Sequence, residues 1–185
     1  RAIAAAAVAL CEDGDSIIIN GGSTTYYMGA ALRERQLNIL TNSLSLGIDL
    51  IEHSNNRVMF PAGEANRKLS FILNPFEDRT SDVFRASKFF LSASAVSAHG
   101  VMEADPLVAR AEQRLAGQAD RIILLVDSTK IGGNSSFAAF ELAEIDSVIC
   151  DDRVTKEQRK IFADHDIDVE IVRAARTQPS DMRSA

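Results

Sequence analysis

The chain has 185 residues, 46% of them hydrophobic and 25% charged, the composition of a globule that can bury a sizeable core. That length fits one domain and leaves no room for a second full one, because cores usually divide only beyond roughly 250 residues. Lys and Arg number 20 against 26 Asp and Glu, a net charge of -6 with no basic run, which excludes this chain by itself as a grip on a nucleic-acid backbone.

In chain order, Arg1–Glu12 reads as a helix that the sequence enters without a Met, so the chain is expected to be a piece of a longer protein. Its apolar run Ala4–Leu10 is far short of the roughly 20 residues of a membrane span. No basic start or cleavage site marks a signal peptide, so a cytoplasmic protein without membrane contact is expected. Ser16–Asn20 is a β-branched strand, Thr24–Arg35 a helix, Asn38–Asn42 a strand, Leu44–His53 a helix and Arg57–Pro61 a strand ending at Ala62-Gly63. Glu64–Ser81 reads as a loop, with a short helix near Pro75–Phe84.

Strand character resumes at Lys88–Ser94. Asp105–Gly117 is a helix with Asp105 as N-cap, Pro106 at the first helical position and Gly117 closing it. Arg121–Asp127 is a near-continuous apolar strand of the kind covered on both faces. Ser147–Cys150, a capped helix Thr155–Asp164 and the strand Val169–Val172 complete the alternation, and Arg173–Ala185 reads as a frayed tail. Strands alternating with helices predict an α/β fold with a mainly parallel twisted sheet and helices on both faces. Such sheets bind ligands beyond the carboxyl ends of their strands.

Five segments stand at those ends. Asn20-Gly21-Gly22-Ser23-Thr24-Thr25 offers glycines for close approach, hydroxyls, and helix N-terminal amides, which suit a phosphate or carboxylate; the same pattern also suits a tight turn with a capped helix. It lacks both the Gly-Lys-Ser/Thr ending of a P-loop and the dinucleotide spacing, so no cofactor is implied. Asp127-Ser128-Thr129-Lys130 places a Lys where it can reach an anion, or simply solvent. Thr41-Asn42-Ser43 can meet a polyol or cap a helix, and Ser92–Gly100, with Ser92, Ser94, Ser97 and His99, can line a pocket or permit close packing. Arg67 and Lys68, in the loop after Gly63, can close over an anion or stand in solvent.

Glu112 and Arg110 read as a solvated face of the helix Asp105–Gly117. Cys11 and Cys150 stand far apart with no neighbouring Cys or His, as buried free thiols do. His53, His99 and His165 are scattered; no metal spacing and no catalytic set is read, and the motifs favour binding over bond-making.

Asn20–Thr25, Thr41–Ser43, the Gly63 turn, Ser92–Gly100 and above all Leu124–Gly132 (LLVDSTKIG), in this order and spacing, resemble the effector-sensing domain of DeoR-family bacterial transcription regulators over about Arg1–Val172. The resemblance implies a fold related to ribose phosphate isomerases, glucosamine phosphate deaminases and CoA transferases. It implies an effector-sensing domain over 1–172 and a homo-oligomer. DNA would be read only through an N-terminal winged helix-turn-helix outside this chain. It implies a sugar phosphate effector on Gly22, Ser23, Thr24, Thr25 and Lys130, with Asn42 and Ser94 near its polyol. Ala62-Gly63 stands where many members carry Gly-Gly. Ala111–Arg114 with VDSTKIG resembles repressors of ascorbate utilisation most, which implies an ascorbate phosphate or similar sugar-acid phosphate. Related isomerases carry an Asp-Gly-Ala-Asp segment where this chain has Ser92-Ala93-Ser94-Ala95, so the general base of that chemistry is expected to be missing.

Overall fold

The computed structural model describes residues 1–74 and 83–173. Helix α1 (Ala2–Ala9) leads into strand β1 (Ser16–Ile19), short helices α2 (Ser23–Tyr26) and α3 (Met28–Leu32), strand β2 (Asn38–Thr41), helix α4 (Leu44–His53) and strand β3 (Arg57–Met59). A hairpin of β4 (Glu64–Asn66) and β5 (Phe71–Leu73) precedes β6 (Lys88–Leu91). Strands β7 (Ala95–Ser97) and β8 (Gly100–Glu103) form a second hairpin before helix α5 (Pro106–Ala116) and β9 (Ile122–Leu125). Strand β10 (Phe137–Phe140), β11 (Ser147–Asp151), helix α6 (Lys156–Ala163) and β12 (Asp168–Val172) follow.

The main sheet has seven strands in the order β12-β11-β9-β6-β1-β2-β3, and every adjacent pair is parallel. The period-2 alternation of its apolar strands splits the core in two. Ile17 and Ile19 of β1 face one way, joining Phe90, Ile123, Leu125 and Ile149 under α1, α3 and α4. Ile18 faces the other way with Phe89, Leu91, Leu124 and Val148, covered by Ala109 and Leu115 of α5 and Phe162 of α6. Helices therefore cover both faces, as the alternation predicts. Both cysteines are buried free thiols, and burial pushes each up to about 11. Among the described residues no helix is long and apolar enough to cross a membrane.

The caps follow the sequence signals. Asp105 accepts from the Leu107 amide at 2.8 Å ahead of Pro106, and Thr155 forms a reciprocal capping box with Gln158 at the start of α6. Three expectations differ. The helix Thr24–Arg35 is broken at Tyr27 into α2 and α3, with Gly29 set against Leu46 and Asp49 of α4. The supposed loop after Gly63 contains the β4–β5 hairpin, whose turn is closed by Asn66 Oδ1 accepting from the Lys68 and Leu69 amides. The segment after β6 continues into β7 and β8, which with β10 form a three-stranded antiparallel sheet packed beside α5. Strands of three or four residues rich in Ala and Ser carry too little alternation to announce themselves. The short helix expected near Pro75–Phe84 and the tail expected at Arg173–Ala185 lie, apart from residues 83, 84 and 173, outside the described residues.

Gly100 makes the β7–β8 turn with φ of 115°, and a Cβ there would lie 2.2 Å from the Phe140 carbonyl oxygen of β10. Replacing Gly100 by Ala combines a left-handed backbone with a collision against main chain. The expected cost is about 2 kcal/mol or more. Urea unfolding of the variant measures it as a lowered midpoint.

Candidate functional site

After β1 the chain adds β2 and β3 on one side of it, then places β6, β9, β11 and β12 on the other, so the direction of winding reverses between β1 and β6. Beyond the carboxyl ends of two such strands a crevice forms, since their connections leave in opposite directions. Asn20 occupies this point. Its Oδ1 accepts from the Ser92 amide at 2.8 Å, and its Nδ2 donates to the Ser92 carbonyl at 2.8 Å and to Glu112 Oε1 of α5 at 2.6 Å. The side chain thus continues the sheet ladder by one step and ties it to a helix.

The next two residues must be small. A Cβ on Gly21 would fall 2.0 Å from the Phe71 ring, and one on Gly22 would fall 1.7 Å from Ser92 Oγ. The Gly21 amide donates to Asn42 Oδ1 at 2.7 Å. Helix α2 makes its first return bond from the Tyr26 amide to the Gly22 carbonyl at 2.9 Å, so the amides of Ser23 and Thr24 precede the first intrahelical donor, as the first-turn amides of a helix do. Thr25 turns its hydroxyl inward to the Asn20 carbonyl at 2.9 Å, closing the turn, whereas Ser23 is exposed.

Lys130 arrives at this edge from β9 on a short 3-10 turn, Ser128–Lys130. Asp151 of β11 accepts from the Ser128 amide at 2.8 Å and its hydroxyl at 3.0 Å, and Gln158 Nε2 of α6 donates to the Ser128 and Ile131 carbonyls at 2.9 and 2.6 Å. So held, Lys130 Nζ donates to the Ala93 carbonyl at 2.6 Å. Burial would raise Asp151, but bonds from Arg153 and Ser128 outweigh it and bring the carboxyl down to about 2. It therefore holds this turn as an anion.

Two acids complete the edge. Glu103, at the end of β8, accepts from the Ser94 amide at 3.0 Å and the Ser94 hydroxyl at 2.7 Å. Burial raises its carboxyl, opposed by those bonds and by the charge of Lys130. Glu112 is only 1% exposed. Burial and then the charge of Glu103 push it well above the usual carboxylate range, against the bond from Asn20. The expectation of a solvated Glu112 is thus overturned: Val108, Glu112 and Leu115 share one face of α5, and that face is buried. Carboxyls also stand at this edge although Ser92–Ala95 carries none, because β8 and α5 deliver them from elsewhere in the chain.

Of the residues singled out in the sequence, Gly22, Thr24, Thr25, Asn42, Ser94 and Lys130 gather at adjacent strand ends, with Ser23 at the exposed start of α2. Ser43 caps α4 by accepting from the Leu46 amide at 3.3 Å, and Thr41 accepts from the Ser43 amide at 3.1 Å. Arg67 and Lys68 are exposed at the β4–β5 turn, His99 at the β7–β8 turn, and His53 and His165 at helix ends. Sequence reasoning gave no separate role to Asn20 or Glu103. A lone Glu closing the apolar run Val101-Met102 was the available signal for the last.

The sequence model of the family described as DeoR C terminal sensor domain matches residues 1–152. The regulator named HTH-type transcriptional regulator UlaR from Shigella dysenteriae is 31% identical over 147 residues, 80% of this chain and 58% of that protein. Its namesake from Escherichia coli K12 matches to the same extent. The chain thus spans a little over half the length of these relatives. Among solved structures, eIF2B beta from Chaetomium thermophilum superposes with a TM-score of 0.53 at 18% identity, covering 88% of this chain and 52% of that one. A D-ribose-5-phosphate isomerase in complex with phospho-erythronic acid gives 0.50 at 19% identity, covering 69% and 51%. At these identities the likeness is one of fold.

Because Glu112 sits above its ordinary value of 4.5, the folded chain holds a proton that the unfolded chain releases once the pH exceeds that value. Its contribution therefore falls as pH rises through the interval between the two values. Glu112→Gln keeps an acceptor for Asn20 and removes the penalty. The variant is expected to match wild type near pH 4 and to melt at least about 2 °C higher near pH 7.5, the worth of roughly 1 kcal/mol in a chain of this size. A difference that stays flat across that range would show that the carboxyl ionises freely.

Proposed function

Because this chain belongs to the DeoR family of C-terminal sensor domains, we propose that residues 1–172 sense a phosphorylated sugar or sugar acid and thereby set the DNA affinity of a longer bacterial transcription regulator. The observation that carries the reading is the turn Gly21–Thr25: glycine backbone at the winding reversal, with the first-turn amides of α2, which precede the first intrahelical donor, beside it. The phosphate lies on Gly22, Ser23, Thr24 and Thr25, and Lys130 approaches it as a point charge. Asn42 and Ser94 stand toward the polyol. Main-chain amides suit this task in a chain of net charge -6, since they need no cationic surround.

DNA contact falls to an N-terminal winged helix-turn-helix, consistent with relatives that extend well beyond the span matched by this chain. The regulator works as a homo-oligomer in the cytoplasm. Effector binding changes DNA affinity by favouring one conformational state of the whole, the only way a ligand shifts an equilibrium.

A second reading, an aldose–ketose phosphate isomerase, draws support from Glu103 and Glu112, two buried carboxyls at the same strand ends. It predicts turnover of a sugar phosphate by the isolated chain, which the sensor reading does not.

Thermal denaturation against a panel of phosphorylated sugars and sugar acids tests the main reading. A ligand at a hundredfold excess over its Kd stabilises by about 2.7 kcal/mol, and absence of a shift with every member would overturn it. Lys130→Ala is expected to weaken a phosphorylated ligand roughly 10- to 100-fold, the worth of a charged hydrogen bond, and to spare its unphosphorylated counterpart. Equal losses by calorimetry would remove Lys130 from the phosphate.

A further inference from the structure

Three buried side-chain atoms among the described residues have no hydrogen-bond partner: Asn42 Nδ2, Glu112 Oε2 and Gln118 Oε1. Folding rarely leaves such atoms unmet, because each forfeits about 1–3 kcal/mol of solvation. Gln118 lies past the end of α5, where its carbonyl bonds the Ala86 amide ahead of β6, at the opposite end of the sheet. The other two belong together. Asn42 uses Oδ1 to hold the Gly21 amide at 2.7 Å, and Glu112 uses Oε1 to hold Asn20 Nδ2 at 2.6 Å. Each therefore grips one residue of the dipeptide that opens the glycine turn and leaves its second polar atom unmet. Asn42 is 0% and Glu112 1% exposed, so bulk water does not meet the need.

We propose that Asn42 Nδ2 and Glu112 Oε2 form a hydroxyl-binding subsite beside the phosphate turn, taking the polyhydroxy carbon chain of the effector, with Glu112 as a specificity-determining residue. This assignment rests on the phosphate reading above. A hydroxyl can answer either atom. It accepts from the Asn42 amide through oxygen, and it can donate to an ionised carboxyl or accept from a protonated one. Glu103 is the weaker candidate for the role, since each of its oxygens already accepts a bond from Ser94, whereas Glu112 Oε2 accepts none. A site with buried groups dedicated to hydroxyls rejects ligands that lack them, because those groups then stay unpaired.

Calorimetry with inorganic phosphate, glucitol 6-phosphate and glucose 6-phosphate tests the assignment on wild type, Glu112→Ala and Asn42→Asp. The last variant keeps the acceptor for Gly21 and turns the unmet donor into an oxygen, with an added charge that a comparison of phosphate and ester on the same variant cancels, so it serves if Glu112→Ala does not fold. At least one six-carbon ester is expected to bind wild type tenfold or more tighter than inorganic phosphate. In either variant that preference, taken as the ratio of the ester Kd to the phosphate Kd on the same variant, should shrink to within threefold. An unchanged preference in both variants would make the two side chains structural and overturn the proposal. Equal binding of phosphate and both esters by wild type would overturn it while sparing the phosphate turn. If wild type binds none of the three and no member of the phosphorylated sugar and sugar-acid panel above shifts its melting, the phosphate reading falls and the subsite with it.

Discussion

The arrangement depends on one side chain placed where the sheet changes its direction of winding. Asn20 answers both main-chain groups of Ser92 and still reaches Glu112, so strands β1 and β6 and helix α5 meet through a single amide. An amide suits this position because it carries an acceptor and two donors in a fixed plane. Asp would lose the donors to the Ser92 carbonyl and Glu112, and Leu would leave all three partners unmet in a buried place. With the strand end fixed, the glycines that follow can come within collision distance of Phe71 and Ser92, and the amides of α2 are held at the crevice.

The charge arrangement follows from the same geometry. Glu103, Glu112 and Lys130 come from β8, α5 and the turn after β9, and share one edge at which both acids are buried and Lys130 is half-buried. Lys130 stabilises the nearer acid, Glu103, and Glu103 in turn discourages ionisation of Glu112. Lys130 is itself held in place from below. Asp151 and Gln158 fasten its turn to β11 and α6, so its ammonium reaches the Ala93 carbonyl without relying on its own long, flexible stem.

How much of this was legible in the sequence depends on the length and the partners of each element. Ser16–Ile19 and Ile122–Leu125 announced themselves because a continuous apolar run of β-branched or Leu residues, bounded by polar ones, fits a strand covered on both faces and little else. Helix α5 was legible down to its cap, since Asp105-Pro106 and Gly117 are local signals. The β7–β8–β10 sheet was not, because Ala95, Ser97 and Gly100 carry little apolar alternation and take their strand positions from the β7–β8 hairpin, whose β8 is in turn completed by β10 from far along the chain. Within the site, the glycine turn and Lys130 could be read locally. Glu103 and the bridging role of Asn20 could not, because both acquire meaning from strands that are distant in the chain. Glu112 was legible in principle: spacing of four and three from Val108 and Leu115 places it on the apolar face, and its polarity diverted the reading toward solvent.

Two buried carboxyls at the strand ends bear on the choice between sensing and turnover. A general base must be ionised and free to accept at the working pH. Burial and the charge of Glu103 both favour the protonated form of Glu112 and weigh against the first condition. Glu103 meets the first condition more readily but is bonded through both oxygens to Ser94, and accepting a substrate proton would disturb those bonds. A proton held on Glu112 is, by contrast, well suited to binding, because a neutral carboxyl can donate to a ligand oxygen beside a phosphate without adding to its negative surroundings. The electrostatics that disfavour chemistry at this edge therefore favour recognition there.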